Sequence, residues 1–372
     1  MLFAYSSVLL ILLLFTIANS FFMPKLKRSG PAPGNAVSIL VPLRNEERNV
    51  PSLITMLKKL TYPNVRFFLL DDQSEDQTYE LLKQHAGPDK RFTLLKGEKL
   101  PQGWSGKVHA CHLLSRHAET DLLLFLDADV RLQPDTLEKA VSMMRSKNAS
   151  LLTGFPRFPV TFLLEKWLVP MQHYLIYVHL PLYLANYTGF PAAAAAHGSF
   201  MLFKREDYLA AGGHAAIKDS LVDDVHLARK MKATGKRVIL ANVTEDVTCY
   251  MYRSGKEAWN GFKKNIFPGF GRSLPAAAAL CLYFAAVCIF PGLFAIYGAY
   301  ELAAKQTFTA LYFVPYVLSV LQKMYVDWRS RQSLMLAPAI PLSAAIFIAL
   351  MAVSIYASFS RKGYDWKGRS YE

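Results

Sequence analysis

Residues 122–130 read LLLFLDADV. An apolar run passes into two carboxylates, Asp127 and Asp129, spaced i and i+2. A short apolar run without polar alternation predicts a strand buried on both faces, and the acidic residues mark its end. The pattern recurs toward the N-terminus. Phe67-Phe68-Leu69-Leu70 stops on Asp71-Asp72, Val37-Ser38-Ile39-Leu40-Val41 stops at Pro42, and Phe92-Thr93-Leu94-Leu95 is another such run. Helical spacings lie between them: 48–60, with Leu53, Met56, Leu57 and Leu60 on one face, then 75–86 and 108–117. Strand–helix alternation with apolar strands predicts an α/β fold, a mainly parallel sheet covered on both faces. Such sheets bind ligands beyond the carboxyl ends of their strands. The acidic clusters at 71–72 and 127–129 stand at two of those ends. Further on, 221–234 predicts a helix closed by Gly235, followed by a strand at 237–241.

The two ends of the chain differ in character. The 372 residues are 52% hydrophobic with a formal charge of +14, too apolar for one ordinary soluble domain and too charged for a pure membrane bundle. Residues 2–23 carry no charge and are long enough to span a bilayer. Lys25, Lys27 and Arg28 follow at once, which predicts an uncleaved anchor with its N-terminus outside and the next domain in the cytoplasm. The expected organisation is an anchor at 1–23, a Pro/Gly linker at 24–36 and an α/β domain at 37–255. An interfacial amphipathic segment at 256–274, transmembrane segments within 275–360 and a basic tail at 361–372 follow.

Candidate C-terminal spans are 276–300, 307–326 and 335–358, and their flanking charges conflict. Arg329 and Arg331 favour the cytoplasm, and so do Arg361, Lys362, Lys367 and Arg369, yet a single apolar run separates the two groups. Either a segment is re-entrant or interfacial, or the rule fails. Residues 162–184 are aromatic and apolar but hold Glu165, Lys166, His173, His179, Pro170 and Pro181. They read equally as a surface-lying segment bordering an acceptor and as a buried helix pair. Basic residues beside apolar runs predict headgroup contact with a lipid bilayer, not nucleic acid. Cys111, Cys249, Cys281 and Cys288 show neither metal-ligand spacing nor a dense disulfide framework, so a reducing compartment is expected. The spans are too few, and too poor in ionisable pairs, for a transporter.

Each acidic cluster has a plain reading beside a chemical one. Asp127 and Asp129 can share one crevice, and hard cations such as Mg²⁺ or Mn²⁺ want few carboxylates plus phosphate oxygens; alone, the pair could be a polar loop. Asp72 can accept from a nucleobase or ribose, or Ser74 and Asp72 can cap a helix starting at Glu75. Pro42-Leu43-Arg44-Asn45-Glu46-Glu47 precedes a helix whose first N–H groups can hold a nucleotide. Asp223 and Asp224 open a helix, where a carboxylate complements the dipole or serves as a general base.

In their order these motifs resemble the family 2 glycosyltransferases with the GT-A fold. The pieces are VSILVPLRNEE, LLDDQSEDQT, GWSGKVHA, FLDADV, HGSFMLFKRE and VDDVHLARK, within residues 36–272. The resemblance implies a Rossmann-like nucleotide-diphospho-sugar transferase domain beside transmembrane helices. It implies that Asp72 contacts the nucleobase and that Pro42, Asn45 and Glu46 line the nucleotide. Asp129, helped by Asp127, would hold a divalent metal on the diphosphate. Lys107 would touch the nucleotide-sugar, Asp224 would be the base with Asp223 beside it, and the anomeric configuration would invert.

Processive members carry Gln-x-x-Arg-Trp near the membrane. This chain reads YRSGKEAWNGFKKN there, which argues for transfer of a single sugar. Arg253 and Lys263 could still neutralise diphosphate. Trp259, Phe262 and Ile266 at helical spacing also suit an interfacial helix. The anchor, the WNGFKKN segment and the closing DWKGRSY resemble a lipid-acting subgroup that includes carotenoid-acid and hopanoid-associated glycosyltransferases. The expected activity is transfer of one hexose, glucose from a UDP-sugar, to a membrane lipid, either a carotenoid acid or a hydroxylated lipid. The rivals are a polyprenyl-phosphate sugar transferase, a short-chain polysaccharide synthase, and a nucleotide-binding scaffold or sensor. No obligate protein partner is inferred.

Overall fold

The computed structural model describes residues 1–28, 34–220, 222–252 and 254–360, with the backbone of 364–366 and 369–371. The chain opens on α1 (Leu2–Ser20), then alternates β1 (Val37–Leu43), α2 (Val50–Lys58), β2 (Val65–Asp71), α3 (Thr78–Ala86), β3 (Phe92–Lys96), α4 (Gly106–His117) and β4 (Leu122–Leu126). The second half of the domain adds β5 (Val130–Leu132), α5 (Thr136–Ser146), β6 (Leu151–Thr153), α6 (Leu163–Leu168), α7 (Met171–His179) and α8 (Leu182–Tyr187). It closes with β7 (Phe200–Lys204), α9 (Arg205–Ala210), α10 (Asp223–Ala233), β8 (Val238–Leu240) and β9 (Val247–Cys249).

The main sheet has the order β3-β2-β1-β4-β7-β6-β8. β1 pairs in parallel with β2 and β4, and β2 with β3. β7 runs antiparallel to β4 and β6, so the sheet is mixed there. Successive residues of β1 feed opposite cores: Ile39 and Val41 pack with Phe67 and Leu124, Leu40 with Phe68 and Leu123. That two-sided burial is why the strands read as unbroken apolar runs. Separately, β5 and β9 pair as a short antiparallel ribbon directly after the DAD sequence.

α3 starts at Thr78, three residues later than the sequence reading, and neither Ser74 nor Asp72 caps it. Ser74 instead accepts from the Asn45 N–H at 2.9 Å, and Asp76 accepts from the Thr78 N–H at 3.0 Å. The segment 162–184 is a chain of short helices broken at Pro170 and Pro181. α7 supports the buried reading, since His173, Tyr174 and Tyr177 are buried. α8 is different, with Tyr183, Leu184 and Tyr187 exposed.

Beyond the domain lie α11 (Gly255–Gly269), α12 (Leu274–Phe284), a π-helical turn at 285–289, α13 (Phe290–Lys305), α14 (Val314–Arg329) and α15 (Ile340–Phe359). Three stretches are long and apolar enough to cross a membrane: Leu2–Ser20, Leu274–Lys305 and Leu334–Phe359. The expected span at 307–326 is replaced by α14, which starts later and holds a buried Lys323–Asp327 ion pair that the sequence reading missed. The pair meets at i,i+4 on one helix, which lets two charges share a buried site. Phe262 and Ile266 of α11 are covered by protein rather than left for lipid, because α15 lies across the helix. Ser354 donates to the Lys263 carbonyl at 2.6 Å, and Phe359 meets Phe267 at 6.2 Å.

The helices have a defined polarity relative to the domain. Gln322 donates to Thr16 at 2.9 Å, and Arg329 donates to the Ser20 carbonyl at 3.0 Å, so α1 and α14 lie side by side in the same direction. At their shared end, Asn242 donates to the Arg329 carbonyl at 2.8 Å, and Glu245 pairs with Arg331 at 2.8 Å and Lys25 at 3.2 Å. Tyr316, near the other end of α14, donates to the Pro338 carbonyl at 2.7 Å. Residues 332–338 therefore run back alongside α14, and α15 returns to α11.

Candidate active site

The site forms where the ends of β1, β2 and β4 meet the start of α10. Two loops are laced together at the sheet's left half. Arg44 donates to the carbonyls of Asp72 and Gln73, each at 2.8 Å. Asn45, in the left-handed region at φ 52°, accepts from the Glu75 N–H at 2.9 Å, and the Glu46 N–H donates to Thr78 at 2.8 Å. Glu46 also accepts from the Asn49 side chain at 2.6 Å at the start of α2. Pro42 and Asp72 close their strands beside these loops. A Cβ on Gly97 would stand 3.0 Å from the Asp72 Cα, so glycine leaves the slot next to Asp72 open.

The acidic groups converge around Lys107 at the start of α4. Its ammonium lies 2.8 Å from Asp127 and 3.8 Å from Asp223. Burial disfavours the ammonium, but these two carboxylates hold it well above the ordinary lysine range. Asp224 accepts from the Gly198 N–H at 2.9 Å and from the Val225 N–H at 2.7 Å. A Cβ on Gly198 would fall 3.1 Å from the Lys107 ammonium, 3.8 Å from Asp224 and 3.9 Å from Asp127. Gly198 thus keeps a small space clear between metal-binding and base candidates.

The adjacent carboxylates of α10 are driven apart. Asp224 is pushed up to about 7 by burial and by the charge of Asp223. Burial would raise Asp223 too, but Lys107 and then His214 outweigh it and hold the group below the usual range. His197 is held neutral by burial, with Lys107 reinforcing the effect. One carboxylate stays ionised and its neighbour titrates near neutrality, which is the behaviour a general base needs.

Asp129 begins the β5–β9 ribbon, with its carbonyl accepting from the Tyr250 N–H at 3.0 Å. The buried Cys249 thiol is hydrogen-bonded to the Asp129 side chain. The donor set suits a hard divalent cation: two carboxylates at i and i+2, with Asp127 beside the space that Gly198 leaves open. No group of three His, Cys, Asp or Glu side chains able to hold a metal exists among the described residues. Asp129 and Asp127 would therefore share the ion with phosphate oxygens, as Mg²⁺ and Mn²⁺ tolerate.

Pro42, Asn45, Glu46, Asp72, Lys107, Asp127, Asp129, Asp223 and Asp224 thus gather at one end of the sheet. Arg253 lies outside the described residues. Lys263 stands on α11 with its carbonyl tied to α15, and the α11 cation acting on Asp223 is its neighbour Lys264. Gly198, His197, Cys249 and Lys264 were not legible as site residues. HGSF was a visible motif, but only the fold places Gly198 against Asp224.

Known proteins share this fold. Residues 38–209 match the glycosyl transferase family 2 profile. The 4,4'-diaponeurosporenoate glycosyltransferase of Staphylococcus aureus is 24% identical over 342 residues, covering 90% of this chain and 88% of that protein. Its counterpart in Staphylococcus haemolyticus is 24% identical over 266 residues, covering 71% and 69%. Among solved structures, a mannosyltransferase from Pyrobaculum calidifontis, in complex with GDP-Man and Mn²⁺, superimposes with a TM-score of 0.53 at 19% identity, covering 96% of this chain and 98% of that one. The chain is a glycosyltransferase with a GT-A fold, and its residues 38–209 are similar to glycosyl transferase family 2.

Proposed function

We propose that the protein transfers one hexose, glucose from UDP-glucose, with inversion, to a lipid acceptor at the cytoplasmic face of a bacterial-type cell membrane. The observation that carries this reading is the convergence of Asp127, Lys107, Asp223 and Asp224 on the space beside Gly198. Asp72 and the loop of Pro42, Asn45 and Glu46 would hold the nucleotide. A divalent cation on Asp129 and Asp127 would supply charge neutralisation to the diphosphate leaving group. Lys107 adds a fixed positive charge at the same point, and Asp224 takes the proton of an attacking hydroxyl. The staphylococcal relatives' name points to a carotenoid acid. A base tuned near neutrality favours a hydroxylated lipid, since a carboxylic acid with a pKa near ~4 arrives already ionised. Lipid profiling by mass spectrometry, with and without the gene, tests the reading. Loss of one hexosyl lipid on deletion is expected, and an unchanged lipid profile with UDP-sugar consumption only by hydrolysis would overturn it.

The expected topology follows from helix polarity. α1 enters with its N-terminus outside, α12 and α13 lead out, and α14 returns to Glu245 on the domain side. Tyr316 precedes Arg329 by 13 residues, about 20 Å along a helix at ~1.5 Å per residue. Pro338 lies at the depth of Tyr316, so 332–359 forms a re-entrant hairpin with both ends on the domain side. The charge conflict then disappears, because Arg331 and the basic tail share the cytoplasmic side. Single cysteines at Gln306, Ser333 and Ser360, in a cysteine-free background, report this. Only Gln306→Cys should react with an impermeant maleimide on intact cells. Labelling of Ser333→Cys and Ser360→Cys from opposite sides would show that α15 spans.

The same reading expects an aromatic collar at the cytoplasmic interface. Phe22 meets Tyr183 at 5.3 Å, Tyr183 stacks on Tyr187 at 5.6 Å, and Phe190 beside them is 55% exposed. This surface continues directly from the end of α1, where aromatic rings favour the headgroup level. With the five native tryptophans replaced by phenylalanine, Phe190→Trp should fluoresce and be quenched by brominated lipids. Quenching by aqueous iodide alone would place the collar in water.

A further inference from the structure

Arg131 is the second residue of β5 and was not singled out by any motif. Its guanidinium donates to the Ala128 carbonyl at 2.9 Å and the Val130 carbonyl at 2.6 Å. From its other amino group it donates to the Asn49 carbonyl at 3.2 Å and to the Ser52 hydroxyl. The first two acceptors flank Asp129. The second two belong to the start of α2, where Asn49 is itself bonded to Glu46 through its N–H at 2.8 Å and its side chain at 2.6 Å. One planar cation therefore bridges the carboxylate turn of 127–130 and the nucleotide loop of 45–49. Among the described residues, every Arg131 donor bond ends on a carbonyl or hydroxyl oxygen, which leaves the Asp127 and Asp129 oxygens to other partners. The rigid fork suits this, because it fixes two donor directions at once, which an ammonium cannot do.

We propose that Arg131 is a positioning residue that sets the Asp127–Asp129 turn against the nucleotide loop, so that a divalent cation and a nucleoside diphosphate are bound together rather than separately. The proposal rests on the metal reading of Asp129. It predicts coupling between two ligands, not merely a stable turn. The ribbon supports this division of labour. β5 is already held by β9, through Val130 opposite Cys249 and Arg131 opposite Thr248, and by the Tyr250 N–H on the Asp129 carbonyl. The turn can thus fold without the guanidinium, which ties it to the start of α2, while Thr61 beyond the far end of α2 holds the Pro134 carbonyl at 2.9 Å. Arg131 also lines an open groove of about 1130 Å³ with Ser52, Phe162, Tyr250 and Tyr252. Water can enter there and satisfy the freed carbonyls, so truncation at Arg131 should be tolerated by the fold.

The test uses the full chain in detergent micelles. Mn²⁺ binding is read by the electron paramagnetic resonance of free Mn²⁺, with and without UDP, and UDP binding by calorimetry with and without Mn²⁺. Outer-shell substitutions typically weaken metal binding by ~10–100-fold. Arg131→Met should raise the Mn²⁺ dissociation constant in the presence of UDP by about 10-fold or more on that basis. It should leave metal-free UDP binding and the thermal midpoint near those of the parent protein. Arg131→Lys keeps the charge but not the fork, and should recover only part of the loss. Ser52→Ala removes one tie on α2 and should shift Mn²⁺ binding in the same direction by a smaller factor. An unchanged Mn²⁺ constant in Arg131→Met, or full rescue by Arg131→Lys, overturns the proposal. If Arg131→Met does not fold, Ser52→Ala decides, and no shift there overturns it. Failure of the underlying metal reading is separate: Asp129→Asn would then bind Mn²⁺ with UDP as the parent does.

Discussion

Asp224→Asn should lower kcat for transfer to a hydroxylated lipid by ~10²–10⁴ while leaving donor binding nearly unchanged. Asparagine keeps the shape and can still accept from one of the Gly198 and Val225 N–H groups, which reach different oxygens of the Asp224 carboxylate. It cannot take a proton. The lost interaction belongs to the transition state, so kcat falls and the donor KM does not rise. The pH profile gives an independent readout. With Asp224 at about 7, parent activity should climb as pH rises through neutrality and the carboxylate ionises. Asp224→Asn should lose that limb. Transfer to a carboxylated lipid should suffer much less, because that nucleophile is already deprotonated. Single-turnover transfer to both lipids is the measurement, and equal mild losses would reduce Asp224 to a helix-start residue.

The same substitution carries a stability consequence of opposite sign. Asp224 titrates higher in the folded chain than the ordinary 3.8, so its folded state is favoured below that value and loses stability as pH rises toward about 7. At about 1.36 kcal/mol per unit the cost is at most roughly 4 kcal/mol, less for a carboxylate on a cleft floor that water reaches. Asp224→Asn removes that titration, so its unfolding temperature relative to the parent should rise as pH climbs from 4 to 8. Thermal scans without ligand across that range check the sign, and a difference that does not change with pH contradicts it.

Asp129→Asn should abolish transfer together with the metal dependence of UDP binding. A neutral amide is a far weaker partner for a hard dication than a carboxylate. Asp127 cannot substitute, since Lys107 engages it at 2.8 Å and offsets its charge. Calorimetric titration of UDP with and without Mn²⁺ is decisive: parent and variant should agree without metal and separate with it. Normal metal-dependent affinity in Asp129→Asn would remove the aspartate from the metal site.

The sequence by itself determined four strands of the sheet: β1, β2 and β4 because burial on both faces keeps them nearly all apolar, and the half-exposed edge strand β3 by its apolar run; their order came from the fold. It also determined which acidic clusters lie at strand ends, since each follows directly on such a run. Residues 151–153 and 200–204 announce no comparable order: β7 is antiparallel to its neighbours, and which strands it separates depends on contacts distant in sequence. The different roles of Asp223 and Asp224 were likewise beyond the sequence, because they arise from Lys107 on α4 and Gly198 before β7. Local residues could not say whether α11 faced lipid or α15, since one apolar stripe serves either solvent. The charge conflict around 335–358 was visible as a contradiction between two basic groups. Only the tertiary structure sets Pro338 against Tyr316 and Ser354 against Lys263, contacts between segments distant in sequence that no local pattern announces.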